Sequence, residues 1–151
     1  MSDLRELYQE VIVDHNRHPR NFRENPAATR RIEGYNPLCG DKLTLFLQLE
    51  DGVIKDISFV GSGCAISMAS ASLMTEALKG KTEAEARAVF DGFHALVTRE
   101  SPGSVNDPGQ MGKLAIFAGV REFPTRVKCA TLAWHTLQAA LDSDEQAVST
   151  E

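Results

Sequence analysis

Two runs, "KLTLFLQLE" (42–50) and "VIKDISFVG" (53–61), flank the dipeptide Asp51-Gly52. An Asp-Gly pair between apolar segments is a strong signal for a two-residue β-hairpin, because both turn residues must take positive φ, which aspartate and glycine do at least cost. In the first run Leu43, Leu45, Leu47 and Leu49 alternate, so they share one face. That face must be covered by helices. "ATRRIEGY" (28–35) adds a third strand ahead of the turn "NPLCGD".

The covering helices follow from spacing. Leu4, Leu7, Tyr8, Val11 and Ile12 recur at three and four, which predicts a helix over 3–15 with Ser2 as N-cap, ending before Pro19. A second helix starts near Cys64, carries Ile66, Ala69, Leu73 and Ala77, and stops at Gly80. In "KTEAEARAVFDGFHALV" (81–97), Thr82 and Glu85 form a capping box, and Ala86, Val89, Phe90, Phe93 and Leu96 form the inner face. A polar loop over 101–110 leads to Asp107-Pro108, an N-cap and first helical residue, opening a short helix to Gly119. The last helix, 126–141, carries Cys129, Leu132, Ala133, Leu137 and Leu141. The predicted fold class is α+β, a small three-stranded antiparallel sheet packed against about five helices. One domain spans 1–141, and 142–151 is expected to be a disordered tail.

Composition narrows the function classes. With 42% apolar and 25% charged residues the chain is of ordinary soluble type. No run approaches the roughly 18 apolar residues of a spanning helix, and "MSDLRELYQEV" has no signal-peptide core, so a cytoplasmic protein without a membrane role is expected. A net charge of −5 and the loose arginine scatter of "NRHPRNFRENPAATRR" argue against a nucleic-acid partner.

Cys39, Cys64 and Cys129 are an odd number of thiols, too widely spaced for a disulfide framework. Each falls at the end of an element: Cys39 in the turn, Cys64 at a helix start, Cys129 in the first part of another helix. A helix N-terminus favours thiolate over thiol, and thiolates bind metals and attack sulfur or carbon. With Asp41, two residues beyond Cys39, they make a ligand set suited to tetrahedral zinc. Spacing and composition alone favour three separate buried thiols over a shared site. His15 and His18 in "DHNRH" read as a solvated helix end, and His94 and His135 as surface or packing residues. No signature of an oxyanion hole accompanies any of them, which argues against a cysteine-histidine hydrolase.

"NPLCGDKLTL", "FVGSGCAISMASASLMTEALKGKT" and "REFPTRVKCATLAWHTL", with "LYQEVIVDHNRHPRNF" near the N-terminus, resemble the U-type iron-sulfur assembly proteins, the NifU N-terminal, IscU and SufU family. The resemblance implies a small α/β sandwich with Cys39, Asp41, Cys64 and Cys129 clustered at one end. Three features are as expected of the SufU branch. Lys128 precedes Cys129 where IscU scaffolds have a histidine, the stretch between Cys64 and Cys129 is longer, and "EFPTRVKC" does not match the chaperone-binding motif.

In that branch the resemblance implies Zn2+ at the site and a sulfurtransferase-like role, accepting persulfide sulfur from a cysteine desulfurase of the SufS type and passing it to downstream iron-sulfur assembly machinery. Within that reading Cys39, beside Gly40, is the sulfur acceptor. Asp41 is the weak oxygen ligand, Cys64 and Cys129 anchor the metal, and Arg126 is an assisting charge. The rival is an IscU-type scaffold holding a [2Fe–2S] cluster on Cys39, Cys64 and Cys129, since thiolates suit that cluster too. A structural zinc module that docks a partner is the third reading.

Overall fold

The Asp51-Gly52 turn takes φ of 54° and 75°, the double positive of a tight hairpin turn. The computed structural model describes residues 2–37, 40–98, 114, 117, 120, 124–142 and 147–149. The turn joins β2 (Asp41–Glu50) to β3 (Val53–Ser62) in antiparallel register, with Leu45 opposite Phe59 and Leu47 opposite Ile57. On the other side of β2 lies β1 (Arg30–Asn36), also antiparallel, with Ile32 opposite Leu45 and Asn36 opposite Asp41.

Within the segment after residue 141, which the sequence predicts to be a disordered tail, three residues are described as a strand. β4 (Ala147–Ser149) pairs in parallel with Glu33, Gly34 and Tyr35, giving a sheet of order β3-β2-β1-β4. The outer edge of β1 otherwise offers unpaired N–H and C=O groups, and the short strand satisfies them.

Four helices stand among the described residues: α1 (Ser2–Arg17), α2 (Ala65–Leu78), α3 (Glu83–Thr98) and α4 (Pro124–Asp142). The predicted loop over 101–110 lies outside the described residues. Most of the short helix expected up to Gly119 does too, although Leu114, Phe117 and Val120, three apart, are buried. The capping box at α3 forms as its sequence demands. Thr82 N–H donates to Glu85 Oε1 at 2.9 Å, and Glu85 N–H donates to Thr82 Oγ1 at 3.1 Å.

α2 and α4 pack side by side on the leucine face of the sheet, α1 lies against α2, and α3 against α4. Leu45, Leu47, Ile57, Phe59, Leu78, Leu132 and Trp134 are fully buried between these layers, and Trp134 stacks on Phe93 of α3 at 4.6 Å. A helix this close to a strand needs a strand position without a side chain. Gly34 supplies it, since a Cβ there would stand 2.2 Å from Thr136 Oγ1 and 3.3 Å from Leu132 Cδ1 of α4.

On the opposite side, the segment after α1 is tied to β3. Arg23 and Lys79 both pair with Asp56, at 2.7 and 3.3 Å. Burial alone would raise the Asp56 pKa, but the two cations more than reverse this and hold it below the ordinary carboxylate range.

Gly34→Ala is expected to lower stability by about 1–3 kcal/mol through overpacking, read as a lower denaturation midpoint at unchanged m-value. Adding Thr136→Ala removes the nearest obstructing atom and should recover part of that loss. Equal stability of Gly34→Ala and wild type would show that α4 can back away from the sheet freely.

Candidate metal centre

Three chain ends meet at one end of the sheet. Asp41 is the first residue of β2, Cys64 caps the N-terminus of α2 just after β3, and Cys129 lies in the N-terminal part of α4. One donor atom from each lies within 4.8 Å of the other two. Asp41 is fully buried, Cys129 is 3% exposed and Cys64 is half-buried, so the cluster is reached from the Cys64 side.

Backbone geometry fixes the donors. Cys64 N–H donates to Asp41 Oδ1 at 2.8 Å, which leaves Oδ2 turned toward the sulfur of Cys64 at 3.9 Å. The Cys64 Sγ in turn accepts from Ser67 N–H at 3.4 Å, so this thiol takes the place that a serine or aspartate fills at an ordinary helix start. Gly63 lets the two chains come this close, because a Cβ there would stand 2.7 Å from Asp41 Oδ1. On the far side Gly40, at φ +75°, donates its N–H to Asn36 O at 2.8 Å and closes the turn between β1 and β2.

Ser70 sets the spacing between the two helix-borne thiols. Its hydroxyl donates to the Ala130 carbonyl at 2.6 Å and accepts from Trp134 Nε1 at 3.1 Å, both on α4. Ser70 lies six positions after Cys64, and Ala130 follows Cys129 directly. The register of α2 against α4 is therefore locked one to two turns from the sulfur atoms.

Two sulfurs and a carboxylate oxygen, each able to carry negative charge, crowd one largely buried pocket. A single cation satisfies all three together, and the donor set is one that zinc accepts. Donors on a tetrahedral zinc stand roughly 3.6 Å apart, given Zn–S near 2.3 Å and Zn–O near 2.1 Å. The 3.9 Å between Cys64 Sγ and Asp41 Oδ2 is close to that spacing. The same thiols suit an iron-sulfur cluster, so donor chemistry admits both groups.

Of the residues predicted from sequence, Asp41, Cys64 and Cys129 converge. Cys39 lies outside the described residues, between Pro37 and Gly40, whose positions are described. Arg126 is in the first turn of α4 and exposed. Asn36, which sequence reasoning did not single out, is fully buried, with its Nδ2 3.4 Å from Asp41 Oδ2 and 3.6 Å from Cys129 Sγ. The signal that could have found it is register, since it is the residue opposite Asp41 across the β1–β2 pair.

The histidines divide. His18 is a solvated helix end, with its side chain 76% exposed and 3.6 Å from Asp14. His15 departs from the predicted solvated position. It is fully buried, its Nδ1 2.6 Å from Ser72 Oγ of α2, because the face of α1 that carries it packs against that helix. His94 stacks on Phe90 and His135 meets Phe90 edge-on between α3 and α4, with the two imidazole centroids 5.8 Å apart. Burial, and then the charge of His94, hold His135 below the ordinary histidine pKa.

Ser70→Ala leaves the buried Trp134 N–H without its acceptor and is expected to cost about 1–3 kcal/mol in chemical denaturation. If Ser70→Ala is as stable as wild type, the α2–α4 register is set elsewhere. For His135 the folded pKa lies below the unfolded one, so its contribution is intact above about pH 7. It declines as pH falls from about 6.5 toward the folded value. Unfolding free energy measured across that range should fall less steeply in His135→Gln, and identical slopes would contradict the shift.

Comparison with known proteins shows the family. The model of the NifU-like N-terminal domain matches residues 7–130. The chain is 38% identical to the iron-sulfur cluster assembly scaffold protein IscU of Streptococcus pyogenes, over 93% of this chain and 86% of the relative. It is 37% identical to the zinc-dependent sulfurtransferase SufU of Bacillus subtilis, over 95% of both chains. Among solved structures, a candidate iron-sulfur cluster assembly scaffold protein for the SUF system from Fervidobacterium islandicum AW-1 superposes with a TM-score of 0.83 at 34% identity, covering 91% of this chain and 98% of that one. Fold, site and sequence together place this chain in the family of NifU-like N-terminal domains, whose relatives carry the names IscU and SufU.

Proposed function

We propose that this chain is an iron-sulfur cluster assembly protein of the SufU type, a zinc-dependent acceptor and relay of persulfide sulfur working in the cytoplasm with a SufS-type cysteine desulfurase and downstream assembly machinery. The observation that carries the reading is the convergence of Asp41, Cys64 and Cys129 beside the turn whose sequence holds Cys39. Lys128, in place of a histidine before Cys129, and the likeness to the Bacillus sulfurtransferase along nearly its whole length support the SufU branch.

Cys39, Asp41, Cys64 and Cys129 would hold the zinc, whose charge, when bound, keeps its thiol ligands deprotonated. The Cys39 thiolate attacks the outer sulfur of the desulfurase persulfide. The sulfur-sulfur bond breaks, the desulfurase cysteine leaves as thiolate, and Cys39 carries the persulfide with its proton, so no external oxidant or reductant is needed. Cys64 and Cys129, held by helices, stay in place, and Arg126 supplies positive charge near the transferred sulfur.

The scaffold reading keeps a specific support of its own, because the Streptococcus relative, equally similar, is named an IscU scaffold. The experiment separates the two. Protein purified without oxygen is expected to contain one zinc per chain and no visible absorption band. After incubation with a SufS-type desulfurase and cysteine, intact mass should rise by one sulfur in wild type and not in Cys39→Ala, with zinc content and folding measured in both. Unchanged sulfur uptake in Cys39→Ala overturns the assignment of the acceptor. A stable [2Fe–2S] chromophore handed intact to an apo-protein would favour the scaffold instead.

A further inference from the structure

Asn36 ends β1 as a fully buried amide, and such a group is costly unless its hydrogen-bonding capacity is used. Its Nδ2 carries two hydrogens and has two acceptors in reach, Asp41 Oδ2 at 3.4 Å and Cys129 Sγ at 3.6 Å. A carboxylate and a thiolate are acceptors only, so the amide must face them with its NH2 group. The two contacts are not equivalent to the others at the centre. Oδ1 of Asp41 is already taken by Cys64 N–H at 2.8 Å, and Oδ2 is the oxygen turned toward the Cys64 sulfur. Asn36 therefore touches the carboxylate oxygen that faces the Cys64 sulfur and one of the thiols that would bind beside it. Its backbone carbonyl, meanwhile, accepts from Gly40 N–H at 2.8 Å and closes the turn.

Resting on the metal-centre reading above, we propose that Asn36 is the positioning residue of the centre. It holds Asp41 Oδ2 in place for the metal and withdraws electron density from the Cys129 sulfur, so that Asp41 is oriented to bind and Cys129 is a settled, poorly nucleophilic thiolate. An outer hydrogen bond fixes the orientation of the ligand it touches, which favours metal binding, and a donor to a ligating sulfur lowers the electron density behind its nucleophilicity. The chain thereby leaves sulfur chemistry to Cys39.

The test uses the full chain loaded with Co2+ as a spectroscopic substitute for zinc. Asn36→Leu, of similar volume and without donors, is expected to weaken metal affinity about 10–100-fold in competition with a chelator. It should also move the thiolate-to-cobalt charge-transfer band to lower energy, because a sulfur without its N–H partner gives up electron density more readily. Asn36→Ala is read in the same way should the leucine variant fail to fold. In an Asp41→Ala background the affinity cost of losing Asn36 should shrink, since one of its two contacts is gone. A purely structural role would lower the unfolding midpoint and leave the band where it is. A folded Asn36 variant with wild-type affinity and an unshifted band overturns this inference alone. A wild-type chain that binds neither zinc nor cobalt overturns the metal-centre reading and the inference with it.

Discussion

A buried carboxylate at the first residue of β2 governs the arrangement around it. Asp41 has no exposure to solvent, and an unsatisfied carboxylate there would cost several kcal/mol. Its satisfaction by Cys64 N–H ties the start of β2 to the junction of β3 and α2. Gly63 makes room for that bond, and the capped end of α2 then aims the Cys64 sulfur back at the same carboxylate. From α2 the constraint passes through the Ser70 hydroxyl to the carbonyl next to Cys129. Donors from three separate elements are thus held together by the protein's own hydrogen bonds, which is the preorganisation a selective metal site requires.

The helix-borne donors of the centre are fixed by packing. Cys64 and Cys129 belong to helices packed on the sheet, and their main chains cannot shift without breaking core contacts. The backbone hydrogen bond from Gly40 N–H to Asn36 O closes the turn after β1, so that Asn36 and Asp41 on either side of it are held in register.

Much of this was legible locally. The Asp-Gly hairpin, the leucine alternation and the Thr82–Glu85 capping box each encode their structure within a few residues, and each forms as read. The motifs around Cys64 and Cys129 pointed to the cluster of these two thiols with Asp41, because each lies near the start of a helix. What escaped depends on contacts between distant segments. His15 lies three and four residues after Ile12 and Val11, on the apolar face of α1, so the helical period alone placed it inside. A reading by charge put it in water. Asn36 becomes part of the centre only once strand register sets it opposite Asp41, and β4 exists only because β1 presents an open edge.

The manner in which the sheet is finished has a consequence for traffic to and from the protein. Along the outer side of β3, Ile54 exchanges hydrogen bonds with the chain at Gly80 and Lys81, and Phe59 N–H donates to Asn21 O, with Phe22 lying edge-on to the Phe59 ring at 5.2 Å. β4 occupies the middle of the opposite edge, along β1. Among the described residues, neither margin offers the long row of vacant amides that lets a foreign strand add itself to a sheet. A protein docking on this chain would then read side chains and loops rather than extend the backbone ladder, and Gly40, Cys64 and Arg126 reach the surface at the end of the molecule that holds the donor cluster.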